Sequence, residues 1–203
     1  MKIKLVDFNN YKEAIEIQNK IFPHEDGTLN ILASLNRDLF MKETGLFYED
    51  DNVKYYIAFI DEEPIGITGI YRYQENEAWL AWFGILPKYQ QNGYGKKLLE
   101  ETIEIAKKQG YKTFRLYTDK VENANAIKLY EKLGFIGEKY TAEKLSYDCW
   151  IYSKSLYDNN IKLWNNKNLN LLYQSELDQI DKRKAKEILE IYNKLIDENQ
   201  IND

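Results

Sequence analysis

Apolar residues change their spacing along the chain, and the changes mark out its elements. "MKIKLVDF" reads as a first strand. Asn10-Tyr11-Lys12-Glu13 then has capping-box spacing, with Asn in place of Ser or Thr, and Ala14, Ile17 and Ile21 share one helical face up to Pro23. "GTLNILASLNRDLF" predicts a second helix. "KYYIAFID", "PIGITGIYRY" and "EAWLAWFGIL" are β-rich runs at hairpin spacing, which predicts three antiparallel strands. Leu98, Leu99, Ile103 and Ala106 recur at three and four residues, a helix that Gly110 closes. "KTFRLYT" alternates Phe114, Leu116 and Thr118 as a half-buried strand does. "NANAIKLYEKLGF" predicts another helix, with Asn123 as its cap and Gly134 as its stop, and "YDCWIYSKSL" predicts a last strand.

The order β-α-α-β-β-β-α-β-α-β-β indicates an α/β fold with a mixed sheet. From about Tyr157 the composition changes. "YDNNIKLWNNKNLNL" is rich in Asn, and beyond Ser175 the residues Leu177, Ile180, Ile188, Ile191 and Leu195 mark an amphipathic helix. That helix either packs over the preceding domain or pairs with a second copy into a homodimer, and periodicity does not separate the two.

Composition narrows the chemistry. The 203 residues are 44% hydrophobic and 30% charged, ordinary for a soluble globular chain with a sizeable core. A formal net charge of −5 argues against nucleic-acid binding through a general basic field. Cys149 is the only cysteine, which excludes an intramolecular disulfide and a Cys-pair zinc site. His24 is the only histidine; one after a helix-ending Pro reads as a surface loop residue. No signal-like segment follows Met1 and no long apolar run occurs, so the expectation is a cytoplasmic protein without a membrane partner and without a bound metal.

The stretch "PKYQQNGYGKKLL" carries the most specific chemistry. A Walker loop would need Gly where Gln90 stands and Ser or Thr after Lys96, and a dinucleotide fingerprint would need Gly where Leu98 stands. What remains is Gln90-Gln91-Asn92-Gly93-Tyr94-Gly95 opening a helix after a strand. Bare backbone at Gly93 and Gly95 permits close approach of a ligand, and a helix N-terminus beyond it suits a pyrophosphate. Taken alone, the two glycines are equally served by a plain strand-to-helix turn.

This segment resembles motif A of the GNAT superfamily of N-acetyltransferases, Gln/Arg-x-x-Gly-x-Gly/Ala. Some 30 residues downstream, "NANAIKLYEKLGF" is similar to the family's second signature, Asn-x-x-Ala-Ile-x-Leu-Tyr-x-x-x-Gly-Phe, at every stated position. The resemblance implies a GNAT-like, mostly antiparallel mixed sheet flanked by helices over residues 1–156, with 157–203 an added C-terminal helical extension. It implies acetyl-CoA as co-substrate and direct transfer of acetyl to an amine in a ternary complex. Gln90, Gln91, Asn92, Gly93, Tyr94, Gly95 and Lys96 would hold the pyrophosphate. The backbone of Phe83, Gly84 and Ile85 would pair with the pantetheine arm where the strand splays from its neighbour. Asn123 would contact the cofactor near its acetyl end. Tyr130 would protonate the departing thiolate, as a phenol still protonated at neutral pH can.

The general base departs from the family pattern. An ammonium with pKa near 10.4 is deprotonated to about one part in a thousand at pH 7, roughly 4 kcal/mol against attack. Trp79 and Thr118 stand where members of the family place a glutamate, and neither is a base. Glu77, two residues before Trp79 on the same strand face, is the candidate catalytic carboxylate that remains, with Asp119 and relay through water as alternatives. On the acceptor side, Glu25 and Asp26 with Tyr55, Tyr56, Tyr71, Tyr73, Trp79 and Trp82 could hold an ammonium group, which points to a small-molecule amine such as a polyamine or amino sugar. The rival readings are a protein N-terminal or lysine acetyltransferase, a catalytically silent acyl-CoA-binding or sensor module, and an interaction protein acting through the tail helix.

Overall fold

A computed structural model describes residues 1–46, 53–74, 76–119, 124–140, 149–164 and 182–198. In chain order they form β1 (Lys2–Leu5), α1 (Tyr11–Ile21), α2 (Thr28–Leu35), α3 (Arg37–Thr44), β2 (Lys54–Ile60), β3 (Glu63–Gln74) and β4 (Glu77–Ile85). There follow α4 (Tyr94–Lys108), β5 (Thr113–Asp119), α5 (Ala124–Lys132), β6 (Ile136–Tyr140), β7 (Cys149–Ser155) and α6 (Lys182–Asp197). Seven strands make one mixed sheet in the order β1-β2-β3-β4-β5-β7-β6. β1 runs antiparallel to β2, and β7 lies antiparallel between β5 and β6. β4 and β5 are parallel, with Glu77, Ala78 and Trp79 opposite Thr113, Phe114 and Arg115. A parallel pair needs a crossover, and α4 supplies it.

The chain clusters into two compact units. The first contains residues 1–69 and 82–95 with tail residues 182–198. Here α1 buries Ala14 and Ile17 as its spacing predicts, and Tyr11, Ile15 and Gln18 besides. Its expected capping box does not form. The Asn10 side chain accepts the Asp7 N–H (2.9 Å) and donates to the Leu5 carbonyl (2.8 Å), so it ties the β1–α1 turn instead. The single helix expected from Gly27 to Phe40 is two. Asn36 is extended at φ −156° and ψ 100°, and its side chain accepts the Leu39 N–H at 3.1 Å, capping α3 and ending α2. The tail helix packs within this unit, chiefly against α2, and buries Ala185, Ile188 and Tyr192. Ile191, read as part of the apolar stripe, is exposed, because the buried face runs through the neighbouring positions.

The second unit contains the described residues of 70–81 and 96–164. The α4 stripe Leu98, Leu99, Ile103 and Ala106 is buried as its periodicity predicts. β5 is buried through Phe114, Arg115 and Leu116 consecutively, so it is covered on both faces rather than one. The start of the extension belongs to this core. Trp164 is fully buried and meets Trp79 edge-on, ring centroids 5.3 Å apart, with Tyr140, Cys149 and Ile151 around them.

Candidate active site

In the first unit the glycine segment is a built loop. The Gln90 side chain donates back to the Ile85 carbonyl at 2.9 Å, and the Asn92 side chain donates to the Gln90 carbonyl at 3.0 Å. Gln91 (φ +64°) and Gly93 (φ +78°) both occupy the left-handed region. Gly93 therefore has a backbone reason to be glycine. Gly95 has none of that kind. It lies inside the first turn of α4, its φ is not in the left-handed region, and an added Cβ would meet nothing nearer than Ile85 Cγ1 at 4.0 Å.

The charges at the helix start are equally telling. The first four N–H groups of an α-helix have no intrahelical acceptor, and the dipole favours acidic side chains there. The first turn of α4 has no acidic residue. Lys96 and Lys97 stand there instead, both exposed, with Lys96 Nζ 3.4 Å from Glu100. Glycine in a helix and lysine at its positive end are each locally unfavourable, by about 1 kcal/mol or less. A bound anion would offset the charge penalty, and the bare backbone at Gly95 leaves room for one.

Upstream, Phe83 is half-buried and Ile85 buried at the end of β4. Gly84 is dictated by packing, since a Cβ there would lie 2.4 Å from Ile21 Cγ2 of α1. One residue earlier, the Trp82 indole N–H donates to Glu25 Oε2 at 2.9 Å, and its ring stacks on Tyr55 at 5.3 Å and 26°. Trp82 also covers Gly27, where a Cβ would come within 2.4 Å of the indole. The loop beneath is pinned by the Gly27 N–H on Gln18 Oε1 (3.0 Å) and the Thr28 N–H on Asp26 Oδ1 (3.0 Å). Of the aromatic residues read as acceptor-side, Trp82 thus stands beside Glu25, while Tyr55, stacked on Trp82, and Tyr56 are both buried in the core. The Tyr73 side chain lies outside the described residues. His24 is exposed in that loop.

In the second unit, Trp79 is fully buried in the core, and the partly buried Tyr71 stacks on it. Glu77 sits in an ion pair with fully buried Arg115, at 2.8 and 3.0 Å to its two oxygens. The guanidinium also donates to Ser153 Oγ and, at 2.8 Å, to the Lys162 carbonyl. Both carboxylate oxygens are thus engaged by the guanidinium. The sequence reading passed over Arg115; its signal was an arginine in the middle of an otherwise apolar strand.

Tyr130 is buried on α5, its ring 6.0 Å from that of Phe135 and 5.9 Å from that of Tyr152. Burial pushes its phenol well above the usual value, so it stays protonated at neutral pH. Asn123 lies outside the described residues. Thr118 and Asp119 are half-buried at the end of β5, opposite Trp150 and Cys149. Burial pushes the Cys149 thiol up to about 11, which makes it a poor nucleophile.

The "Acetyltransferase (GNAT) family" profile matches residues 12–135. The spermine/spermidine N(1)-acetyltransferase of Bacillus subtilis is 34% identical over 141 residues, 66% of this chain and 87% of that protein. The [ribosomal protein bS18]-alanine N-acetyltransferase of Escherichia coli is 43% identical over 60 residues, 30% of this chain and 40% of that one. The probable N-acetyltransferase camello of Xenopus laevis is 34% identical over 87 residues, and the match spans only 39% of its length. Among solved structures, the spermidine/spermine N-acetyltransferase SpeG of Vibrio cholerae shares the fold at TM-score 0.58 and 15% identity, over 78% of this chain and 96% of that one. A Bacillus subtilis acetyltransferase in complex with CoA does so at TM-score 0.54 and 18% identity, over 76% of this chain and 98% of that one. With the family profile covering more than half of its length, the chain belongs to the GNAT family of acetyltransferases, whose fold its mixed sheet and crossover helix share.

Proposed function

We propose that the protein transfers an acetyl group from acetyl-CoA directly to the amine of a small cationic acceptor, with polyamines first among the candidates. Gly95 carries this reading: a helical glycine that the protein's own packing leaves unexplained is accounted for by a pyrophosphate lying against the backbone. Gln90 to Lys96 would hold that group, through bare amides, the helix terminus and lysine charge. The backbone of Phe83, Gly84 and Ile85 would pair with the pantetheine arm. Asn123 would contact the cofactor near its acetyl end. The Tyr130 hydroxyl keeps its proton at neutral pH and gives it to the departing thiolate.

The acceptor would lie against Trp82, which Tyr55 backs from the core, with the Glu25 carboxylate taking its ammonium. Of these groups, Trp82 directly precedes Phe83 on β4. The Bacillus relative named for spermine and spermidine supports a polyamine, and the one named for a ribosomal-protein alanine keeps a protein α-amine as the second choice. Glu77 is occupied by Arg115, so we assign it to holding that guanidinium and not to proton abstraction. Trp79 and Thr118 in place of the family glutamates favour one rival, an acyl-CoA-binding module without turnover.

Thermal unfolding with and without acetyl-CoA tests the cofactor, and release of free thiol with spermidine, spermine, amino sugars and an alanine-initiated peptide tests the acceptor. At 100 times its dissociation constant a ligand adds about 2.7 kcal/mol, roughly 5–10 °C for a chain of this size. No shift at saturation rejects the acetyltransferase reading. A shift without thiol release from any amine selects the silent module.

A further inference from the structure

α2 is a helix that cannot place itself. Its sequence, TLNILASL, carries no charge, and Thr28 through Ala33 are all buried. A helix of that length is unstable alone in water, so its neighbours decide where it lies. Its first turn continues directly from the loop that carries Glu25. The Gly27 carbonyl accepts the Ile31 N–H at 3.0 Å, while the Gly27 and Thr28 N–H groups are held by Gln18 and Asp26. Any shift of α2 is therefore a shift of that loop, and with it of the Glu25 carboxylate that holds the Trp82 indole.

α6 grips the helices around this loop. It packs against α2 through a face containing Ala185, Ile188 and Tyr192. Asn193 Oδ1 accepts the hydroxyl proton of Tyr11, the first residue of α1, at 2.5 Å. The Tyr192 ring lies 6.2 Å from that of Phe40 on α3. α1 in turn carries Gln18, whose side chain holds Gly27. One tail helix thus fixes α1, α2 and α3 together, and the loop hangs from two of them.

We propose that α6 is a positioning element for the acceptor loop, setting where Glu25 and Trp82 stand and so governing affinity for the amine. This rests on the acceptor reading of that loop given above. The test uses full-length Asn193→Ala and Ile188→Ala variants, amide hydrogen exchange, and steady-state kinetics with spermidine and acetyl-CoA. Exchange at Gly27 and Thr28 accelerates in both variants while the amides pairing β5 with β7 keep their protection. kcat/KM for spermidine falls, through KM, by up to about 10²-fold, the scale on which misplacing a bound reactant acts. KM for acetyl-CoA stays unchanged. A general loss of stability would speed exchange everywhere and would not split the two KM values. Unchanged exchange at Gly27 and Thr28 in both variants overturns the proposal, and so does faster exchange with an unaltered spermidine KM. Failure of the acetyltransferase reading shows separately, as absence of an acetyl-CoA shift in the wild type, and the exchange data need no turnover.

Discussion

Gly93 and Gly95 stand two positions apart and answer to different demands. The first is required by a left-handed backbone, the second by nothing in the folded chain. Gly95→Ala accordingly stabilises the unliganded protein, by up to about 1 kcal/mol from helix propensity. The same change shrinks the acetyl-CoA melting shift, and calorimetry with and without ligand reads both effects; a full shift in the variant would remove the phosphate role of Gly95. At Glu77 the expectation is the reverse pairing. Glu77→Gln strands the fully buried Arg115 charge and lowers stability by about 3 kcal/mol, read from urea unfolding. A variant of unaltered stability whose rate collapses would restore Glu77 as the base. Tyr130→Phe keeps the ring and removes the hydroxyl proposed as the proton donor, so the expected outcome is a kcat lower by about 10²-fold or more with little change in the acetyl-CoA melting shift.

Among the elements, α2 and α3 show local chemistry overriding periodicity. The apolar pattern runs on from Gly27 to Phe40, yet Asn36 turns its side chain to the Leu39 amide and divides it. Asn36→Ala removes that cap and costs about 1 kcal/mol, measured as a lower urea midpoint with an unchanged m-value. α1 shows the converse. Its capping-box letters are present, but Asn10 is drawn off to Asp7 and Leu5. The α4 stripe was legible in full, because a helix buried along one face writes its contacts at three- and four-residue spacing. β5 was half legible: alternation identifies a strand but does not say whether its second face is covered.

For the molecule as a whole, burial raises several phenols together. Tyr130 and Tyr192 are pushed well above the ordinary value, Tyr192 also by nearby Glu43, and Tyr11 and Tyr152 move the same way. The unfolded chain then releases these protons first, near the ordinary phenol pKa of about 10. Their contribution is intact below that pH and is lost as pH climbs above it, so urea midpoints begin to fall at about pH 10 and keep falling as pH rises towards the raised folded-state values. Tyr130→Phe flattens the fall, and an equal slope in the variant would refute its share. The sequence by itself determined most of the order of elements, the glycine loop and the helix bearing Tyr130, because helical spacing, glycine placement and short motifs are local properties of a chain. Only the tertiary structure decided that Glu77 is held by Arg115, that Gly84 is demanded by α1, and that the tail supplies Trp164 to one unit and α6 to the other. Those contacts join residues far apart along the chain, where no periodicity records which side chain will face which.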